Sequence, residues 1–171
     1  MTSVRICPAD LADLPEVKRL LYELDALHAR LHPAHFRCGP GPSRTEQELR
    51  RAVVGPDQTV LLARVGAPGR TPRAGEVYGL IHLRLQDAPL SPSVRPVRRA
   101  CVEALYVARP YRRQGWGRQL MEQGARWAAQ RGACQLVLTV WHGNEAAQAF
   151  YERLGCRPVN TALTLDIAQS V

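Results

Sequence analysis

A mixed, mostly antiparallel central sheet of about seven strands, flanked by helices on both faces, is the α+β or α/β fold that this sequence predicts. Three observations lead there. Up to Val107, strand-like apolar runs alternate with turn-rich segments in the manner of a meander, with two amphipathic helices among them. After Val107 the pattern changes to helix, strand, helix, strand. A meander followed by β-α units must mix strand directions and place helices on both sides. Finally, 171 residues with 46% hydrophobic content are enough to bury one core, so a single domain over 1–171 is expected.

The elements come in order. Val4 to Cys7 can form a short first strand. Asp10 is placed to cap a helix on which Leu14, Val17, Leu20, Leu21, Leu24, Leu27 and Leu31 recur at helical spacing, and Pro33 stops it. Thr45, with Glu48 three residues later, makes a capping box for a second helix that runs to about Val54. Thr59 to Val65 reads as a buried strand and Glu76 to Gln86 as its hairpin partner, with a mobile turn from Gly66 to Gly75 between them. A polar loop with Pro89, Pro92 and Pro96 leads to a strand from Arg98 to Val107.

Gly115 to Arg131 is expected to be helical, with Gly117, Leu120, Met121, Gly124, Ala125 and Ala128 on one face. Residues that small bring a helix close to a sheet, and Gly132 is suited to end it. Cys134 to Val140 reads as a strand, Asn144 to Leu154 as a helix closed by Gly155, and Ala162 to Ile167 as a last strand.

The charge balance narrows the partners. A net charge of +8 favours anions, and 22 of the 23 basic residues are Arg, whose planar fork suits phosphate. Most of these side chains are expected simply to face water. They are not interleaved with stacking aromatics, which argues against a nucleic-acid-binding module. The opening M-T-S-V-R-I-C-P-A-D has no secretory apolar region, and no run approaches the roughly 20 apolar residues that span a bilayer. A cytoplasmic protein with no membrane partner is therefore expected. The five scattered cysteines fit reduced, structural thiols better than zinc-type pairs.

The segment L-Y-V-A-R-P-Y-R-R-Q-G-W-G-R, Leu105 to Arg118, carries the clearest chemistry. A strand runs through a turn at Pro110 into a basic, glycine-punctuated stretch that opens a helix. Unpaired N–H groups and the helix dipole suit a phosphate there, and Gly115 and Gly117 let backbone approach closely. Arg112, Arg113 and Arg118 add positive charge. The glycine spacing fits neither a Walker A loop nor a dinucleotide fingerprint. About one β-α unit later comes N-E-A-A-Q-A-F-Y-E-R-L-G-C, Asn144 to Cys156.

Those two motifs, in this order and separation, resemble the GCN5-related N-acetyltransferase (GNAT) superfamily over residues 97 to 159. The resemblance implies a GNAT-like acyl-CoA N-acyltransferase fold and an acetyl-CoA-binding site that needs no metal. It implies that Leu105, Tyr106 and Val107 line the pantetheine arm. The pyrophosphate would lie on the loop Arg112, Arg113, Gln114, Gly115, Trp116, Gly117 and Arg118. Asn144 would contact the cofactor arm, and Tyr151 would protonate the leaving thiolate. A phenol suits that task because its pKa lies near 10. Without the motif, Asn144 reads as a helix cap and Tyr151 and Trp116 as packing.

Glu103 lies two residues before Leu105, so strict alternation puts its side chain on the face of Leu105 and Val107. Polyamine acetyltransferases that this strand resembles carry a Glu there, thought to deprotonate the amine through water. Other members place a Glu on the following strand, where this chain has Thr139. The resemblance therefore points to Glu103 as base or amine anchor, against a solvated strand carboxylate.

His28 and His32 have the i, i+4 spacing of metal ligands, but Pro33 interrupts the helix and no carboxylate or Cys completes a set. No metal is expected. In the superfamily the region between the first two helices lines the acceptor pocket, and L-H-P-A-H-F resembles that of many bacterial members. His28, His32 and Phe36 become acceptor-site candidates on that ground, while Glu23 and Asp25 read as a charged helix face.

The function implied is acetyl transfer from acetyl-CoA to a primary amine, on a small molecule or a protein, by direct attack in a ternary complex. The alternative is a non-catalytic acyl-CoA-binding or regulatory module of the same fold. Many members are dimers, so the resemblance also raises a homodimer.

Overall fold

The computed structural model describes residues 3–39, 43–66, 75–87, 93 and 95–165. Two compact units divide the chain, Met1–Thr139 and Val140–Val171.

The first unit is built on a sheet in the order β1-β2-β3-β4-β5. Its strands are β1 (Ser3–Pro8), β2 (Gln58–Gly66), β3 (Val77–Gln86), β4 (Arg99–Val107) and β5 (Gln135–Val137). The first four pair antiparallel and β5 joins β4 in parallel. Sheet class and strand directions agree with the sequence reading. The described residues hold five strands, against the roughly seven expected. The turn expected at Gly66 to Gly75 falls largely outside the described residues, as do Pro89 and Pro92.

Helices α1 (Leu14–Leu31), α2 (Glu46–Val54) and α3 (Trp116–Ala129) cover the sheet. A short 3-10 turn, Leu11–Asp13, precedes α1, and Asp10 caps that turn rather than the α-helix itself. Thr45 and Glu48 form the expected capping box at α2. Helix α3 lies on the side of the sheet that presents Gly79, Ile81 and Leu83. A Cβ on Gly124 would stand 2.8 Å from Leu83 Cδ1 and 3.2 Å from Ile81 Cδ1, so glycine permits the close approach. The helix ends in a Schellman motif, with Gly132 N–H on the Ala129 carbonyl and Ala133 N–H on the Ala128 carbonyl. Helix α1 covers the opposite side, where Tyr106 reaches Glu23. Val17, Leu20, Leu62, Leu80, Ile81, Leu83 and Leu120 are fully buried between these layers.

Two bulges interrupt the ladders. Ala63 pairs with Gly79 and Arg64 with Val77, which leaves Tyr78 extra. His82 pairs with Ala104 and Leu83 with Val102, which leaves Glu103 extra. An extra residue resets the alternation of side chains along its strand.

In the second unit, α4 (Glu145–Arg153) is capped by Asn144, whose side chain accepts from the Ala147 N–H at 3.2 Å. It closes, as expected, on Gly155, in the left-handed region at φ 86. Of the strand expected at Ala162 to Ile167, the residues up to Leu165 form no ladder and the rest lie outside the described residues. A strand exists only by pairing, and no other strand among the described residues of this unit supplies a partner.

Candidate active site

Strand β5 pairs with β4 at Arg99, Ala100 and Cys101 only. From Val102 to Val107, β4 has no strand on that side among the described residues. Which backbone groups face the opening is set by the ladder. The Ala108 N–H donates to the Tyr78 carbonyl at 2.7 Å, so Ala108 and Tyr106 turn their backbone groups toward β3. Leu105 and Val107, by alternation, turn theirs toward the open edge. The Val107 carbonyl accepts from Arg112 Nε there at 2.8 Å. Of the three residues read as a backbone rail, Leu105 and Val107 offer main-chain groups and Tyr106 offers its side chain.

The loop after β4 is held from below. Tyr78, the extra residue of its bulge and fully buried, stacks on Tyr111 at 4.5 Å and meets the edge of Trp116 at 5.8 Å. Burial pushes the Tyr78 phenol up to about 12. Above that support, Arg113 adopts φ 65 and Gly115 φ 85, both in the left-handed region. That conformation costs a non-glycine residue such as Arg113 roughly 1 kcal/mol or more, and such outliers cluster at functional loops. Gln114 bridges the Pro110 carbonyl and the Trp116 indole N–H at 3.3 Å each. Helix α3 then starts at Gly115 with no side-chain cap. The first-turn amides, at Trp116, Gly117 and Arg118, are left to solvent or to an anion. Arg112, Arg113 and Arg118 are exposed around them.

Glu103 departs from the face that strict alternation assigned to it. As the bulge residue, it leaves the side of Leu105 and Val107 and joins that of His82, Arg84 and Tyr106. Its Oε1 meets the Arg84 guanidinium at 2.6 Å and 2.8 Å. His82 lies alongside, bonded to Gln58 Oε1 at 3.0 Å. Burial pushes its imidazole down to about 4, against the pull of Glu103.

On this same face a groove of about 520 Å³ opens beside Tyr106, walled by Glu23, Leu27 and Arg30 of α1 and by Arg109 and Arg112. Tyr106 donates its hydroxyl proton to Glu23 Oε2 at 3.1 Å. His28, His32 and Phe36 gather separately, with ring centroids 5.1 Å apart for His28 and Phe36 and 6.3 Å for His32 and Phe36. Burial lowers the His28 pKa. They do not line the groove, because His28 continues the core-facing stripe of α1 that carries Val17, Leu21 and Leu24. Asp25 instead pairs with Arg44 at 3.1 Å and accepts from Ser43. Sequence reading missed Arg30, Arg109 and His82. For Arg30 the available signal was Glu23 and Arg30 at i, i+7, charged residues on the helix face that also carries Leu27.

In the second unit, Tyr151 is half-buried on α4, with its ring edge-on to Phe150 at 5.1 Å. Burial pushes its phenol up to about 12, with the Cys156 thiol adding to the shift. Among the described residues, no group of His, Cys, Asp and Glu is arranged to hold a metal, and no helix is long and apolar enough to cross a membrane.

Known proteins share this sequence pattern and this fold. The sequence profile of the acetyltransferase (GNAT) family matches residues 24–156. The chain is 30% identical over 114 residues to the aminoglycoside N(6')-acetyltransferase type 1 of Serratia marcescens, covering 67% of this chain and 73% of that relative. Its fold matches a tetramutant of the BH1408 protein of Bacillus halodurans with TM-score 0.82 at 24% identity, over 95% of this chain and 99% of that one. It also matches a ribosomal-protein-alanine N-acetyltransferase from Brucella melitensis biovar Abortus 2308 with TM-score 0.65 at 20% identity, over 97% and 100% of the two chains.

Proposed function

This chain belongs to the acetyltransferase (GNAT) family, and from that premise we propose that residues 1–171 work as one N-acetyltransferase domain. It would move the acetyl group of acetyl-CoA directly to a primary amine in a ternary complex. The observation that carries this reading is the free edge of β4 from Val102 to Val107, running straight into an uncapped helix start.

The chain's own groups fit such a donor. Leu105 and Val107 offer main-chain donors and acceptors to an amide-bearing arm. The Arg113–Gly115 turn and the first amides of α3 suit a pyrophosphate, with Arg112, Arg113 and Arg118 supplying countercharge. Acetyl-CoA, when bound, supplies the thioester. A main-chain N–H of the free edge is suited to hold the oxyanion charge that develops.

Tyr151, a phenol that is protonated at neutral pH even at its ordinary value near 10, gives its proton to the departing sulfur. Asn144 spends its carbonyl oxygen on the α4 cap, which leaves its amide N–H groups for the cofactor arm. Glu103 accepts the amine proton through water, with Arg84 fixing Oε1 and leaving Oε2 to receive it. His28, His32 and Phe36, which gather apart from the groove beside Tyr106, are assigned to an outer part of the acceptor region.

The test is release of the CoA thiol from acetyl-CoA with a panel of small amines and amine-bearing peptides. Turnover with at least one amine, lost in Tyr151→Phe while acetyl-CoA still binds, is expected. Tight acetyl-CoA binding without turnover on any amine would identify a non-catalytic acyl-CoA-binding module instead.

A further inference from the structure

The groove beside Tyr106 is charged in a way that bears on the acceptor. Three guanidinium groups, of Arg30, Arg109 and Arg112, meet a single carboxylate, that of Glu23. That carboxylate is already engaged on both oxygens. Oε1 is held by Arg19 at 2.7 Å and Oε2 by the Tyr106 hydroxyl at 3.1 Å. Arg112 spends its Nε on the Val107 carbonyl and lies over the Tyr106 ring at 5.4 Å. Among the described residues, neither Arg30 nor Arg109 makes an ion pair.

Convergence of like charges on an open cavity is unfavourable unless an anion joins them. A polycationic acceptor such as an aminoglycoside would meet the opposite of what it needs. The groove also adjoins the free edge, since Arg112 touches both. We propose that the groove takes an acceptor that carries an anionic group, carboxylate or phosphate, near its amine, with Arg30 and Arg109 as the residues that select it. This rests on the acetyltransferase reading and deepens it by naming the substrate class.

The experiment measures binding by calorimetry with matched probes, on the full chain with and without saturating CoA. The pairs are β-alanine against propylamine and O-phosphoethanolamine against ethanolamine, with spermidine as the polycation. The anionic member of at least one pair should bind about tenfold more tightly than its partner, and the pair with the larger ratio identifies carboxylate or phosphate. Arg30→Gln and Arg109→Gln should each remove most of that preference, and Arg30→Lys should restore part of it. Both positions are exposed, so the variants should fold, and circular dichroism melts are the check.

Acetyl-CoA affinity should change less than about twofold in the same variants. Three results would overturn the proposal: spermidine binding best, no anion preference in either pair, or variants that weaken acetyl-CoA rather than the acceptor probes. The last would assign the groove to the donor's phosphates. Failure of acetyl-CoA to bind the unaltered chain would instead strike the acetyltransferase reading, and the titrations report that separately.

Discussion

The loop after β4 and the groove beside it are both rich in arginine, yet they present charge in different ways. In the loop, the fixed polarity belongs to the backbone: Arg113 and Gly115 in the left-handed region, and the uncapped amides of α3. In the groove it belongs to side chains that arrive from α1, from β4 and from the turn after it. A backbone site suits an anion of fixed geometry and is indifferent to what else the ligand carries. A side-chain site can be retuned by single substitutions. The difference suggests a division of labour, with the donor held by the loop and the acceptor selected by the groove.

The most severe way to test that division is to leave both regions intact and remove the proposed acid. Tyr151→Phe should lower kcat by about 10²- to 10⁴-fold with little change in acetyl-CoA affinity. Steady-state kinetics beside calorimetry checks this, and a lower affinity with unchanged kcat would move Tyr151 to a binding role.

On the groove's face of the sheet, His82 gives a stability signature. Its folded pKa of about 4 lies below the ordinary value of 6.5, so the unfolded chain binds the extra proton between those values. Stability should therefore be fully present above pH 6.5 and fall as pH drops toward 4, by up to about 3 kcal/mol from this group. His82→Gln should flatten that window in denaturant titrations. An unchanged slope would show that other groups dominate it.

Charge reversal separates the two arginine regions directly. Arg118→Glu should weaken acetyl-CoA about tenfold, more at low salt than at high, with the acceptor KM little moved. Arg30→Glu should do the reverse. If both variants moved the same constant, the loop and the groove would be one site. The smallest effect is expected at Gly115→Ala. Its Cβ would meet nothing within 4 Å, but φ 85 is strained for alanine, so thermal melts should show a loss of about 1 kcal/mol.

The capping box at Thr45, the leucine stripe of α1, the glycine turn before α3 and the Asn144 cap are all legible in the sequence, because each is decided by contacts within a few residues. The face taken by Glu103 is not. Alternation places it with Leu105, and a single extra residue in the pairing of β3 with β4 moves it to Arg84 and His82. Likewise β5 is short because β4 keeps its partner only as far as Cys101.

Family, glycine-bearing loop and capped helices thus needed nothing beyond the order of residues, since local spacing decides backbone conformation and the motifs are contiguous. The sharing of faces between side chains, and the convergence of arginines on the groove, came from packing. Register and bulges are settled by pairing between strands, and Arg30 and Arg109 meet only because α1 packs across β4. Neighbours in space that are distant in sequence leave no spacing to read.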